Sequence, residues 1–348
     1  MNERKLPNDY WTSAEVMKEI FETRVCLAET HSPDACNGAI IKAHTIPKSQ
    51  LQKIAVDGHV YAMRFTAADL ARNDGVLTAQ KVGVGTFSVL NSFCAAHDNN
   101  VFRHVEDDPL IFDPHQLTLL HYRTICSELY RKVCAYHALL HQIEEQKKKK
   151  LDKQVMDILK AAAVGQQLGI RDVGSVFMRV GTDLFGQKYD QVSALVVHFK
   201  KLPSVMTVGG FIPLFDYNGK RSHYVEDFQT IAQIISFNIL ASEGHAAVAM
   251  LWSKDHDQVK AFADSYVAQK PEHYSTLAIQ TAFEFLENTC MQPAWWEGEK
   301  PIVRKLLLDR MQLAGTSLEE KRKPHCLAYG GVTYDQWDYD RHEFINVN

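Results

Sequence analysis

No stretch of this sequence is long and apolar enough to cross a bilayer. Apolar-rich stretches such as 194–199 and 234–240 fall far short of the roughly 20 residues a spanning helix needs. The opening residues, Met1-Asn2-Glu3-Arg4-Lys5, lack the apolar core of a secretion signal. A cytoplasmic location with no membrane partner is therefore expected. Positive charge is also scarce. Lysine and arginine number 38 against 42 acids, a net charge of −4, so there is no bulk attraction to nucleic acid. Any such binding must come from a local basic surface. There is no G-x-S-x-G, no Walker loop and no dinucleotide fingerprint, which removes support for hydrolases of that type, kinases and dehydrogenases. No internal repeat is present, and no low-complexity tract beyond Lys147–Lys150. The cysteines are odd in number, seven, in a chain without a secretion signal. That argues against a disulfide framework and for metal binding or reduced thiols.

What remains is an ordinary globular composition, 46% apolar and 23% charged over 348 residues, enough for two or three domains. The expected class is α+β. The expected divisions are a zinc-stapled module at 1–107, a helical region at 108–188 and an antiparallel sheet with helices at 189–348. A helix is predicted over 10–24, capped by Thr12 or Ser13. The turn Asp57-Gly58 suggests a hairpin over Val56–Phe65. Residues 115–168 carry apolar side chains at three- and four-residue steps, which predicts one long helix or a hairpin of two. Beyond 189 the texture changes. Strands are predicted at 192–199, 205–215, 231–240 and 246–252, and helices at 256–269 and 275–289. Gly181–Gly186 and Gly209-Gly210 read as turn and strand-bulge positions. The polar tail from Gly315 reads as an extended arm.

Two short stretches carry most of the chemistry. Cys26 and Cys36 precede Ala43-His44-Thr45-Ile46-Pro47, and Cys94 and His97 follow in a C-x-x-H pair. A C-x-x-H pair lets a turn entering a helix present both side chains to one ion. Cys26, Cys36, Cys94 and His97 therefore form a candidate structural zinc site. The gap between Cys26 and Cys36 is wide for a knuckle, so the residues between them are expected to form an inserted loop. Cys126, Cys134 and Cys290 lie in helical patterns and read as core residues.

These residues resemble the HNH endonucleases of the His-Me finger (ββα-metal) group, over about residues 24–107. The chain also resembles a set of uncharacterised bacterial proteins sharing Gly58-His59-Val60-Tyr61, Phe93-Cys94-x-x-His97-Asp98 and Pro293-x-Trp295-Trp296. The HNH resemblance implies a treble-clef or ββα-metal fold and a metal-dependent cut of a phosphodiester bond. By motif position His44 is the general base, Asp98 a ligand of catalytic Mg²⁺ or Mn²⁺, and Asn99 a second candidate ligand. Asn91 stands near the place of the asparagine that orients the histidine, two residues short of the usual spacing. The sequence departs from the family at Ala43, where an acidic or histidine metal ligand is common. Nucleases with large unrelated domains often serve defence against phage, which implies that context by analogy.

Lys42, Lys48 and Lys53 fall in a stretch free of acids, 35–56, and could contact the phosphates of DNA or RNA. Two further readings stand beside the nuclease. In one the module is a non-catalytic, zinc-stabilised binder of nucleic acid or protein, and His44 is a structural ligand or a core histidine. In the other the C-terminal part senses a small ligand and controls the finger, with Trp295 and Trp296 lining a pocket. Residues 108–348 could also meet a protein partner or a second copy. His115, His121, His137 and His141 read as helix surface, and the four lysines as a solvated face or turn.

Overall fold

Strict alternation along the central strands sets the architecture. The computed structural model describes residues 8–63, 69, 73–149, 152–223, 228–316 and 326–347. Arg64, Phe65, Lys150 and the start of the polar tail at 317–325 lie outside these residues. The fold is mixed α/β, with nine α-helices among the described residues.

Eight strands form one antiparallel sheet: β2 (His59–Met63), β3 (Ala79–Gly83), β5 (Val192–Phe199), β6 (Val205–Phe211), β7 (Ile235–Ser242), β8 (His245–Ser253), β9 (Thr289–Met291) and β10 (Tyr339–Ile345). Their spatial order is β10-β5-β8-β7-β6-β9-β2-β3. Strand residues alternate between two buried faces, which is why the central strands read as near-continuous apolar runs. Ala194 and Val196 of β5 and Ala247, Ala249 and Leu251 of β8 belong to one core. Leu195, Val197, Val248, Met250 and Trp252 belong to the other. The β7–β8 turn has Glu243 at φ +49° and Gly244 at φ +86°, a pair of positive values that suits a two-residue hairpin.

The second core is closed by α6 (Asp257–Val267), α7 (Tyr274–Phe285), α8 (Pro293–Gly298) and α9 (Pro301–Thr316). Trp296 packs there, with Trp295 half-buried beside it. The first core is closed by a helical hairpin, α4 (Pro114–Lys149) and α5 (Lys153–Phe185). Asp113 Oδ1 caps α4 by accepting from Gln116 N at 2.8 Å, just ahead of Pro114. Asp152 caps α5 through Gln154 N at 2.9 Å. Lys147 and Lys148 near the hairpin tip pair with Glu144 and Glu145 on their own helix.

The N-terminal segment joins this body at several points. It contains α1 (Asn8–Phe21), the two-stranded pair β1 (Ile40–His44) and β4 (Val89–Cys94), α2 (Lys48–Ile54) and α3 (Ala95–Glu106). Asp57-Gly58 does turn the chain, through a single bridge between Val56 and His59. The long partner of β2 is then β3, and its other edge pairs with β9. The segment at 59–83 thus completes a sheet whose remaining strands lie beyond residue 190. From α2, Gln50 Oε1 accepts from Ala241 N and Lys53 Nζ donates to Ala241 O.

Several expectations change in detail. The described part of helix α1 already begins at Asn8, so Thr12 and Ser13 both lie inside it rather than at its cap. The stretch expected to be helical through 289 ends at Phe285, and 289–291 is a strand. Part of the polar tail is an edge strand, β10, paired with β5 and irregular between Tyr339 and Arg341. Gly181 is no turn residue. It lies within α5, and the reason for its missing side chain is steric, as described below. No helix among the described residues is long and apolar enough to cross a membrane.

Candidate metal centre

The site is built by a two-stranded antiparallel pair, a helix start and a loop folded back on them. Strands β1 and β4 pair in antiparallel register, Ile40 opposite Cys94 and His44 opposite Val89, with an irregularity between Ile41 and Ala43. The chain leaves β4 directly into α3, and Cys94 is the N-cap, its sulfur accepting from His97 N at 3.4 Å. A cap residue has extended backbone while the third helical residue points back at it. That is how C-x-x-H places Cys94 and His97 side by side. Asp98 in the first turn and Arg103 and His104 in the last suit the helix dipole.

Cys26 and Cys36 arrive from the other side. The residues between them form two short 3-10 turns, Leu27–Thr30 and Pro33–Ala35, which fold the inserted loop compactly. The ligand atoms of Cys26, Cys36, Cys94 and His97 all lie within 4.8 Å of one another. Cys36 Sγ and Cys94 Sγ are 3.8 Å apart, Cys26 Sγ and His97 Nδ1 3.1 Å, and Cys94 Sγ and His97 Nδ1 3.4 Å. A tetrahedral zinc with Zn–S of about 2.3 Å sets sulfurs about 3.8 Å apart, so the donor set fits that ion. The Cys₃His cluster can hold a metal such as zinc, and the sulfurs have no disulfide partners.

The thiols are not equivalent. Burial pushes Cys26 up to about 12, against the backbone N–H of Cys94 that donates to its sulfur. Burial also acts to raise Cys94, but the backbone N–H groups of His97 and Asn37 and the neighbouring thiols of Cys26 and Cys36 outweigh it and bring Cys94 to about 6. That shift favours the thiolate, the form of cysteine that binds a cation, at the helix N-cap.

The inserted loop is pinned by His31. Its ring stacks on Phe185 at 5.8 Å, meets Phe177 edge-on at 4.7 Å and bonds Tyr122 Oη through Nδ1 at 3.2 Å. A β-carbon on Gly181 would lie 2.2 Å from His31 Cε1. The helix therefore needs glycine there to admit the ring.

Other residues singled out in the sequence are distributed around this core. His44 ends β1, half-buried, and its Nε2 lies 2.9 Å from Val84 O. A carbonyl only accepts, so Nε2 carries the proton and Nδ1 presents its lone pair. Nδ1 makes no hydrogen bond among the described residues. Burial raises the Asp98 carboxyl, and the Arg123 guanidinium opposes that shift. Asn99 is exposed beside it. Asn91 Nδ2 donates to Glu22 O at 2.9 Å, so this amide ties β4 to α1 while the Val84 carbonyl orients His44. Lys42, Lys48 and Lys53 are all exposed, but Lys53 Nζ also reaches the Ala241 carbonyl at 3.1 Å, and partial burial lowers its pKa.

Arg123 carries no motif. It is 2% exposed on α4, 4.0 Å above the Phe102 ring, and donates to Glu106 Oε1 at 2.6 Å. Its Nη2 stands 4.0 Å from Asp98 Oδ1, and both atoms are buried without a hydrogen-bond partner. The one available signal was a guanidinium within the apolar stretch Leu117–Ile125. His121 of the same stretch is also inside rather than on the surface, its Nδ1 2.7 Å from Ser236 Oγ. No family model, curated protein or solved structure matches this chain.

Proposed function

We propose that the segment is a ββα-metal nuclease module of the HNH kind, stapled by zinc and acting on DNA or RNA phosphodiester bonds. The observation that carries this reading is the state of His44. It sits at the end of β1, whose antiparallel partner β4 runs into α3, with Nε2 bound to a carbonyl and Nδ1 without a hydrogen bond among the described residues. In this reading His44 Nδ1 accepts a proton from the attacking water. Asp98 and Asn99 are the residues that would hold Mg²⁺ or Mn²⁺. Such a cation commonly uses one or two carboxylates, substrate phosphate and water, so a single acid is compatible with it. When bound, it would stabilise charge on the phosphate and leaving oxygen. Exposed Lys42 and Lys48 would contact the backbone of the nucleic acid, and the large sheet with its helices would choose the target.

A second reading has its own support. Ala43 supplies no carboxylate, and Arg123 stands beside Asp98, where it offsets negative charge without a metal. Under that reading the module binds nucleic acid or protein without cutting. The test is cleavage of plasmid and single-stranded substrates by zinc-loaded protein with Mg²⁺ or Mn²⁺, comparing wild type with His44→Ala. Loss of cutting by about 100-fold or more in the variant is expected of a general base. Binding of substrate with no cutting by wild type would favour the second reading. A defence role would appear as lower phage plaque numbers in cells carrying wild type but not His44→Ala.

A further inference from the structure

A second face of α3 borders a cleft of about 530 Å³. That size is within the range of roughly 300–1,000 Å³ common for small-molecule sites. The cleft lies between the zinc loop, α3 and the base of the α4–α5 hairpin, on the side away from Asp98 and Arg123. His97, Val101 and His104 lie at three- and four-residue steps along α3 and turn toward it together.

Three features give the cleft a chemical character. On one wall three flat rings are stacked in a column. His115 lies 4.2 Å from Tyr189 at 19°, and 5.0 Å from His104 at 28°. His104 is fixed by Asp108 on one nitrogen and by Asp113 Oδ2 on the other, at 3.1 Å. On the floor is His97, 2% exposed, with Nε2 buried and without a hydrogen-bond partner. A histidine that gives Nδ1 to zinc carries its proton on Nε2, and such a proton normally has an acceptor. At the mouth is Arg103, its side chain 78% exposed and paired, among the described residues, with Asp107 at 3.7 Å.

We propose that this cleft binds a mononucleotide. The base extends the His104–His115–Tyr189 column and accepts a hydrogen bond from His97 Nε2. The phosphate faces the solvent side, where Arg103 exchanges its exposed partner for it. Each part of the ligand answers one part of the cleft: a planar body for the rings, a deep acceptor for the orphan donor and an anion for the cation at the rim. His97 then has two roles, ligand to the zinc on one edge and hydrogen-bond donor to the nucleotide on the other. Occupancy of the cleft would complete the outer shell of the metal site. The inference does not depend on catalysis by His44.

The experiment is calorimetric titration of the zinc-loaded full chain with AMP, GMP, CMP, UMP and inorganic phosphate separately. Transfer of zinc to a chelator is then followed with and without each nucleotide. At least one nucleotide should bind at least tenfold more tightly than inorganic phosphate. Tyr189→Ala and Arg103→Ala should each weaken that binding by tenfold or more, while Tyr189→Phe, which keeps the ring, should bind like wild type. Saturating nucleotide should slow zinc transfer several-fold. The proposal is overturned if no nucleotide binds at millimolar concentration, or if phosphate alone binds as well. It is also overturned if both the Tyr189→Ala and Arg103→Ala proteins bind like wild type.

Discussion

The ring of His31 occupies the space that a side chain on Gly181 would fill. This notch is where the metal-binding loop docks on the helical hairpin. Alanine is a better helix former than glycine by about 1 kcal/mol, so propensity alone favours Gly181→Ala. The ring cannot retreat, because Phe177 and Phe185 hold it. Overpacking of about 1–3 kcal/mol should outweigh the gain. The expected result is a lower melting temperature and faster loss of metal. Gly174→Ala in the same helix meets nothing within 4 Å and should be neutral or stabilising by up to about 1 kcal/mol. Thermal unfolding of both variants decides the matter, and equal stabilisation by both would contradict the notch.

Removing one zinc ligand should uncouple the module from the sheet. Purified wild-type protein is expected to carry about one zinc per chain. Cys36→Ser should lower that content and the unfolding temperature while far-ultraviolet circular dichroism keeps most of its strength. Metal analysis and calorimetry provide the check. A wild-type protein free of zinc after purification without chelators would remove the basis of the assignment.

Arg123 balances two acids inside the protein. Truncation as Arg123→Met leaves Glu106 and Asp98 without their cation and should cost about 3 kcal/mol, toward the lower end for broken buried pairs because both acids keep partial access to water. Adding Glu106→Gln should recover part of the loss. Urea midpoints for the single and double variants measure this, and additive losses would argue against the pairing.

Acid should weaken the fold through its internal histidines. Burial holds His121 down to about 3 and His256 down to about 4, from an ordinary value near 6.5. Below about pH 6.5 the unfolded chain takes up protons that the folded chain refuses, so stability falls as pH drops toward 4. Each group contributes a slope of at most about 1.4 kcal/mol per pH unit. His256→Gln should flatten the decline between pH 6.5 and 4.5. A decline unaffected by that substitution would assign the acid sensitivity to other groups.

Much of the local structure was legible because it obeys short-range rules. Short apolar runs marked β5 and β8, the three- and four-residue apolar rhythm marked α4 and α5, and C-x-x-H marked a cap that is also a chelate. Cys26 and Cys36 could be grouped with that pair from chemistry alone. Relationships over long separations left no such mark. The pairing of β2 with β9 depends on which edges lie free once the sheet exists, and neither segment announces its partner. Gly181 looked like a turn because glycine usually signals backbone freedom, whereas here it provides room for a ring 150 residues earlier in the chain. His121 looked like helix surface, and Arg123 went unnoticed, because their partners, Asp98 and Glu106 on α3 and Ser236 on β7, come from other elements.

The insertion of β2 between β3 and β9 sets a timetable for synthesis. All four metal-binding side chains have been made once residue 97 is in place, but β2 lacks one neighbour until residues 289–291 emerge. At about 5–20 residues per second that interval is roughly 10–40 s. During it the Cys₃His cluster could already take up an ion while one edge of β2 still lacks its partner.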